Sequence, residues 1–202
     1  MLVDELKSIA RNNGIVGAGG AGFPAYAKMT EKADTVLLNC VECEPLLKLH
    51  RQLLATHTSE IIQMLEEVRE SFGAKEAIIG IKSEYVTTIR AVEEVLGDFP
   101  KVRLCPLRAA YPMGDEVVLI YEATGRVIKP GGLPIDENVV VYNVETMYNL
   151  YRAVHLNIPV TNKLVSIVGE IDHPLTVRVP LGTTVKEAVS LAGKATVEDP
   201  VY

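Results

Sequence analysis

Asp34-Thr35-Val36-Leu37-Leu38-Asn39 is the run from which the fold is read. Its apolar residues are continuous rather than alternating, the pattern of a strand covered on both faces inside a parallel sheet. Parallel strands need crossovers of a dozen or more residues, usually helical, and the chain supplies them. Thr58 to Phe72 carries Ile61, Ile62, Leu65, Val68 and Phe72 on one stripe and ends at Gly73. Ala77-Ile78-Ile79-Gly80-Ile81 is the next strand. Tyr85 to Leu96 is a second amphipathic helix through Ile89, Val92 and Leu96, closed by Gly97-Asp98. Val102 to Cys105 reads as a third strand stopped by Pro106, Val117 to Ala123 as a helix, and Val139 to Tyr142 as a fourth strand. Asn143-Val144-Glu145-Thr146 opens the helix that follows. Such alternation predicts an α/β fold: a Rossmann-like, largely parallel sheet with helices on both faces.

Upstream of the first strand, residues 3 to 12 read as a helix with Leu6, Ile9 and Ala10 on one face, ending at Asn12-Asn13-Gly14. Then comes Gly17-Ala18-Gly19-Gly20-Ala21-Gly22-Phe23-Pro24, with Lys28 four residues on. Glycines allow backbone N–H groups to converge and a ligand to approach closely; converging N–H groups form an anion nest, and a nearby lysine suits a phosphate. A flexible surface loop is the plain alternative. Against it, Ala18 and Ala21 stand where a linker carries serine or asparagine, and Phe23-Pro24 stiffens the exit. The spacing matches neither the dinucleotide fingerprint nor the P-loop. Downstream, the first strand ends in Asn39-Cys40-Val41-Glu42-Cys43-Glu44-Pro45. Ligands of open α/β sheets sit outside the carboxyl ends of the strands, so this segment is expected to share a crevice with the glycine loop. Tyr111-Pro112-Met113-Gly114-Asp115-Glu116 and the rigid loop Lys129 to Pro134 come later.

After Asn157-Ile158-Pro159 the pattern changes. Leu164 to Val168, a turn at Asp172-His173-Pro174, and Leu175 to Val179 read as a β-hairpin, followed by a helix from Gly182-Thr183. This β-β-α unit is the first half of a β-grasp-like module. Alone it is marginal, so a fragment, or a module completed by another chain, is expected. The division is then 1–160 and 161–202.

A net charge of −6 over 202 residues, without a basic run, argues against a nucleic-acid partner. There is no long apolar span and no signal-peptide pattern, and three cysteines are too few for a disulfide framework, so a reducing cytoplasm is expected. Docking onto a membrane complex stays open. Cys40-Val41-Glu42-Cys43 has the spacing of a redox dithiol or half a zinc site, but a second pair is missing and an intervening acid raises thiol pKa values. Structural thiols are the competing reading. His50, His57, His155 and His173 show no metal spacing, and no metal site is expected.

Taken together, five ordered motifs carry a resemblance: the glycine loop with Lys28, Asn39-x-x-Glu-Cys-Glu-Pro45, Tyr111-Pro-x-Gly-x-Glu116, Pro130-Gly-Gly-Leu-Pro134 and Asn143-Val-Glu-Thr146. Over about residues 12 to 160 the chain resembles the flavin domain of the C subunit of the Rnf electron-transport complex. Related domains occur in microcompartment cobalamin reductases, a protein linked to proline reductase, and the NADH-oxidising flavoprotein subunit of respiratory complex I. The tail resembles the soluble-ligand-binding β-grasp module of that family. The resemblance implies FMN as cofactor and NADH as donor in an NADH-dependent oxidoreductase. Electrons would pass to an iron–sulfur or other redox partner, since three cysteines cannot ligate a cluster within the chain. Gly17, Gly19, Gly20 and Gly22 would wrap the FMN phosphate and ribityl chain, and Lys28 would reach the flavin. Asn39, Glu42, Asn143 and the step Gly114-Asp115-Glu116 would lie beside it. Phe23, Glu44 and Glu116 would meet the nicotinamide nucleotide. Ala18 stands where the complex I version has arginine, Val41 where it has aspartate, and Glu31 where it has a second aromatic. The first two changes fit the Rnf-like branch. The resemblance allows a place at the membrane periphery or within a microcompartment. A non-catalytic assembly module that keeps the fold without flavin is the alternative.

Overall fold

The computed structural model describes residues 1–20 and 22–198. Ala21, read above as one of two small neighbours in the glycine loop, lies outside the described residues, as do positions 199–202 of the tail unit.

The elements run in the order α1 (Val3–Asn12), β1 (Thr35–Cys40), α2 (Leu49–Thr56), α3 (Thr58–Phe72), β2 (Glu76–Lys82), α4 (Val86–Leu96), β3 (Val102–Leu107), α5 (Glu116–Thr124), β4 (Val139–Asn143), α6 (Val144–Leu156), β5 (Asn162–Ile167), β6 (Leu175–Pro180) and α7 (Val185–Ser190). Strands β1 to β4 form one sheet in the order β3-β2-β1-β4, and every neighbouring pair is parallel. Alternate residues serve two cores. Val36, Leu38 and Cys40 of β1 pack with Leu6 of α1, Ile61 and Leu65 of α3, and Met147 and Leu150 of α6. Leu37 joins Leu119, Ile120 and Ala123 of α5 on the opposite face. This two-sided burial is why the strands read as unbroken apolar runs. Leu54, Ile61, Ile62 and Leu65 are wholly buried, each contributing roughly 1.5–3 kcal/mol relative to exposure.

The expected helix over 58–72 matches α3, and Gly73 ends it in the left-handed region at φ 67°. Three details differ from the sequence reading. Helix α2 was not foreseen, because eight residues give too few turns for a clear stripe, although Leu53 and Leu54 are buried. Pro106 lies inside β3, in register with Ile81, rather than stopping it. An outer strand tolerates a proline because one of its sides needs no donor. Helix α7 begins at Val185, with Thr184 and Glu187 forming a capping box, not at Gly182-Thr183.

Strands β5 and β6 form a separate antiparallel pair. With α7 they enclose a small core of Ile167, Ile171, Ala188 and Ala192. Among the described residues no helix is long and apolar enough to cross a membrane.

Candidate functional site

From β1 the chain adds β2 and then β3 on one side, and returns to the other side of β1 for β4. The sheet order therefore reverses between β1 and β4, where a crevice opens beyond the strand ends in folds of this kind. Asn39 and Asn143, paired in register, stand at that point. Asn39 Oδ1 accepts the Val41 N–H at 2.9 Å, and its Nδ2 donates to Gly114 O at 2.9 Å. Asn143 caps α6 by accepting the Glu145 N–H at 2.9 Å. Its Nδ2 lies 3.3 Å from both ring nitrogens of His50.

The glycine loop lies against this end of the sheet. Gly17 N–H donates to Phe23 O at 2.8 Å, which closes the loop at its neck. Ala18 N–H donates to Thr146 Oγ1 at 2.9 Å. A Cβ on Gly19 would come within 2.6 Å of Asn143 Nδ2, so any side chain there would push the Asn143 amide away. A Cβ on Gly20 would meet nothing within 4 Å, and Gly22 is left-handed at φ 70°. Among the described residues, neither the Gly19 nor the Gly20 N–H donates to a protein acceptor. Both donors are therefore available to an anion.

A second loop locks onto the segment after β1. Gly114 N–H donates to Cys43 Sγ at 3.2 Å, and a Cβ there would lie 2.4 Å from Val41 O. Asp115 caps α5, accepting N–H bonds from Val117 and Val118. Glu116 Oε1 accepts from Lys28 Nζ at 2.9 Å. Lys28 also donates to Val141 O at 3.4 Å and lies 5.9 Å from the centroid of the Phe23 ring. Phe23 and Glu44 are exposed, as is Glu31.

Glu42 is buried and turned toward α2, where its Oε1 accepts the His50 N–H at 2.8 Å. Its Oε2 lies 3.5 Å from Arg51 Nε and has no hydrogen-bond partner among the described residues. Burial raises the Glu42 pKa, opposed by the His50 N–H and by Arg51. The His50 imidazole is pushed down to about 4 by burial and then by the charge of Lys163. At neutral pH it is an uncharged neighbour of Asn143. Cys40 is buried in the core and its thiol is pushed far above the ordinary range by burial and then by Glu42. Its partner in the C-x-x-C spacing, Cys43, accepts the Gly114 N–H.

The structure thus brings Gly19, Asn143 and Ala18 together, and separately Lys28, Glu116 and Phe23. Asn39 and Asp115 have polar groups bonded within the protein, and Glu42 faces α2 rather than the glycine loop. From sequence His50 is weighed only as a metal ligand, and Arg51 and Thr146 are given no role of their own. Thr146 lay inside the quoted Asn143–Thr146 motif. His50 and Arg51 depend on the packing of α2, for which the sequence had no clear signal.

The description Nuo51 FMN-binding domain belongs to the family model that matches residues 10–152. The cobalamin reductase PduS of Salmonella typhimurium is 42% identical over 98% of this chain, and the match spans 44% of that protein. The C subunit of the Na(+)-translocating ferredoxin:NAD(+) oxidoreductase complex of Acetobacterium woodii is 30% identical over 96% of this chain and 45% of its own length. The chain therefore spans less than half the length of these curated relatives. Among solved structures, an NAD+-reducing NiFe-hydrogenase in the H2-reduced state aligns with a TM-score of 0.79 at 21% identity. That alignment covers 96% of this chain and 39% of the hydrogenase chain, and it bears on the fold.

Proposed function

The chain belongs to the family of Nuo51 FMN-binding domains, and from that premise we propose that it holds FMN in the crevice between β1 and β4, accepts hydride from NADH and delivers electrons to a cluster-bearing partner. The observation that carries the reading is the approach of Gly19 to Asn143 at the point where the sheet order reverses. A side chain at position 19 would fill that space, and the neighbouring N–H donors have no protein acceptor among the described residues. The donor set suits a phosphate monoester joined to a polar chain.

When bound, FMN supplies a ring that takes two electrons as hydride and releases them singly. The chain's own residues bind and orient. Gly19 and Gly20 N–H groups would hold the phosphate, with Gly17 and Gly22 shaping the loop. Asn143, with its amide free of the cap it makes through Oδ1, would face the cofactor together with the neutral His50. Glu116 and Lys28, paired at 2.9 Å, would flank the ring, and the exposed Phe23 and Glu44 would meet the nucleotide. No side chain is required as acid or base in hydride transfer. Residues 161–202 are read as an incomplete β-grasp module, an assignment supported by the separate core of β5, β6 and α7.

The test is flavin absorbance after soaking with FMN, then anaerobic stopped-flow with NADH. Rapid bleaching by NADH supports the reading. A protein that takes up FMN and is reduced by dithionite but not by millimolar NADH would lose the oxidoreductase assignment. A second reading, an assembly module that holds no flavin, is favoured by one observation: Lys28, Asn39 and Asp115 all have polar atoms satisfied inside the protein. Failure to retain FMN at all would select it.

A further inference from the structure

The residues Asn143 to Thr146 end β4 and begin α6, and their polar side chains reach three different parts of the molecule. Asn143 meets His50 and lies against Gly19. Thr146, buried, accepts the Ala18 N–H at 2.9 Å and lies 3.5 Å from Val16 O, which fixes the entrance of the glycine loop. Glu145 points to the hairpin unit. Only 2% exposed, it is ion-paired with Lys163 Nζ and accepts the Leu164 N–H at 3.3 Å. Both partners belong to β5. One helical turn therefore carries the phosphate loop on one side and the β5–β6 unit on the other.

We infer that Glu145 is a positioning residue for the glycine loop, and that the β5–β6 unit, through Lys163, sets the affinity of that loop for a phosphate. The inference rests on the FMN reading above. A buried carboxylate stripped of its counter-charge must reach water or be neutralised. Lys163 is the only cation within ion-pairing distance of Glu145 among the described residues. Without it the first turn of α6 has to shift outward, because the Glu145 N–H is itself tied to Asn143. Thr146 shifts with it and releases Ala18. The loop then has to be ordered by the ligand, and affinity is lost in proportion. The loss falls on the phosphate end of the ligand, because the loop is what holds it.

The experiment compares the native protein with Lys163→Met, Glu145→Gln and the double variant. Affinities for FMN and for riboflavin are titrated separately. Hydrogen–deuterium exchange at the Ala18 to Gly20 amides is followed in flavin-free protein, and Tm is recorded for each variant. Lys163→Met is expected to weaken FMN by roughly tenfold, the size of one lost charge-assisted bond, with riboflavin unchanged and exchange at 18–20 faster. The double variant, which leaves no buried charge unpaired, should lie closer to native. Equal losses for FMN and riboflavin would overturn the inference, as would unchanged exchange at the loop. If Lys163→Met does not fold, Lys163→Gln, which removes the same charge but can still donate to the carboxylate, decides, and an unchanged FMN-to-riboflavin ratio in it overturns the inference. Should the native protein bind neither flavin, the proposed function falls, while the exchange measurement still decides whether β5 controls the loop.

Discussion

Asn39 and Asn143 stand side by side at the ends of β1 and β4, yet they face opposite tasks. Asn39 ties the two segments that follow β1 and precede α5, through Val41 and Gly114. Asn143 caps a helix with its oxygen and leaves its nitrogen toward His50 and Gly19. Of the two, Asn143 is the one whose amide nitrogen is turned toward the glycine loop.

The glycines of the loop should separate accordingly. Gly19→Ala places a Cβ 2.6 Å from Asn143 Nδ2 and forces the cap aside. Loss of a cap costs about 0.5–2 kcal/mol, so thermal unfolding should drop by several degrees and FMN should no longer bind. In Gly20→Ala the new Cβ meets open space. Its Tm should stay within a degree or so of native, while FMN affinity falls. A Gly20→Ala protein with native affinity would show that the phosphate lies elsewhere.

Lys28 and Glu116 hold each other at 2.9 Å with both side chains about a third exposed. Lys28→Met should weaken FMN by about tenfold if the ammonium serves the ligand. Glu116→Gln releases that ammonium and should leave FMN affinity the same or tighter. Fluorescence titration reads both. Loss in both variants, with lowered Tm, would assign the pair to the fold instead.

Acid should act on this region through two groups in opposite directions. The folded protein holds the His50 pKa near 4, below its ordinary 6.5. The stability linked to this group is therefore intact above pH 6.5 and is lost as pH falls toward 4. Burial raises the Glu42 pKa above its ordinary 4.5, so the folded state gains relative stability as pH falls through that raised value. Urea unfolding at a series of pH values should show a flatter acid limb for His50→Gln and a steeper one for Glu42→Gln. Parallel slopes in both variants would contradict this account.

The thiols should react unequally. Cys40 is fully buried with its pKa pushed up, whereas Cys43 is only partly covered. Iodoacetamide under native conditions should label Cys43 well before Cys40, as read by mass spectrometry. Cys43→Ser should keep FMN, because a hydroxyl can still accept the Gly114 N–H. Loss of NADH-dependent flavin reduction in that variant, with FMN still bound, would bring back a redox role for the dithiol.

Much of the architecture was legible because burial on two faces leaves a mark in single residues. Val36, Leu37 and Leu38 are apolar without alternation since each side of the sheet has its own core. The end of α3 was legible because Gly73 is its left-handed cap. The site was less so. Motif spacing picked out Gly19 and Asn143 but not which side chains face a ligand and which hold the chain. Asp115 directly precedes a helix, a position where aspartate caps, and it does so. Lys28 finds its carboxylate 88 residues away, a distance that no local pattern encodes. His50 enters only because Glu42 reaches across to the first turn of α2.

The outer strands of the main sheet bear on how this polypeptide meets others. At one margin Pro106 withholds an N–H from β3, and at the other the Lys28 ammonium engages Val141 O on β4. Proline and lysine are the residues with which natural sheets discourage further strands from adding alongside. Addition of a strand from another molecule is thereby disfavoured along the parallel sheet. In the two-stranded ribbon the outward Leu164 N–H of β5 is already taken by Glu145, so among the described residues β6 is the margin without ladder partners. Growth of that ribbon by an incoming strand would add partners to the tail unit without disturbing the parallel sheet.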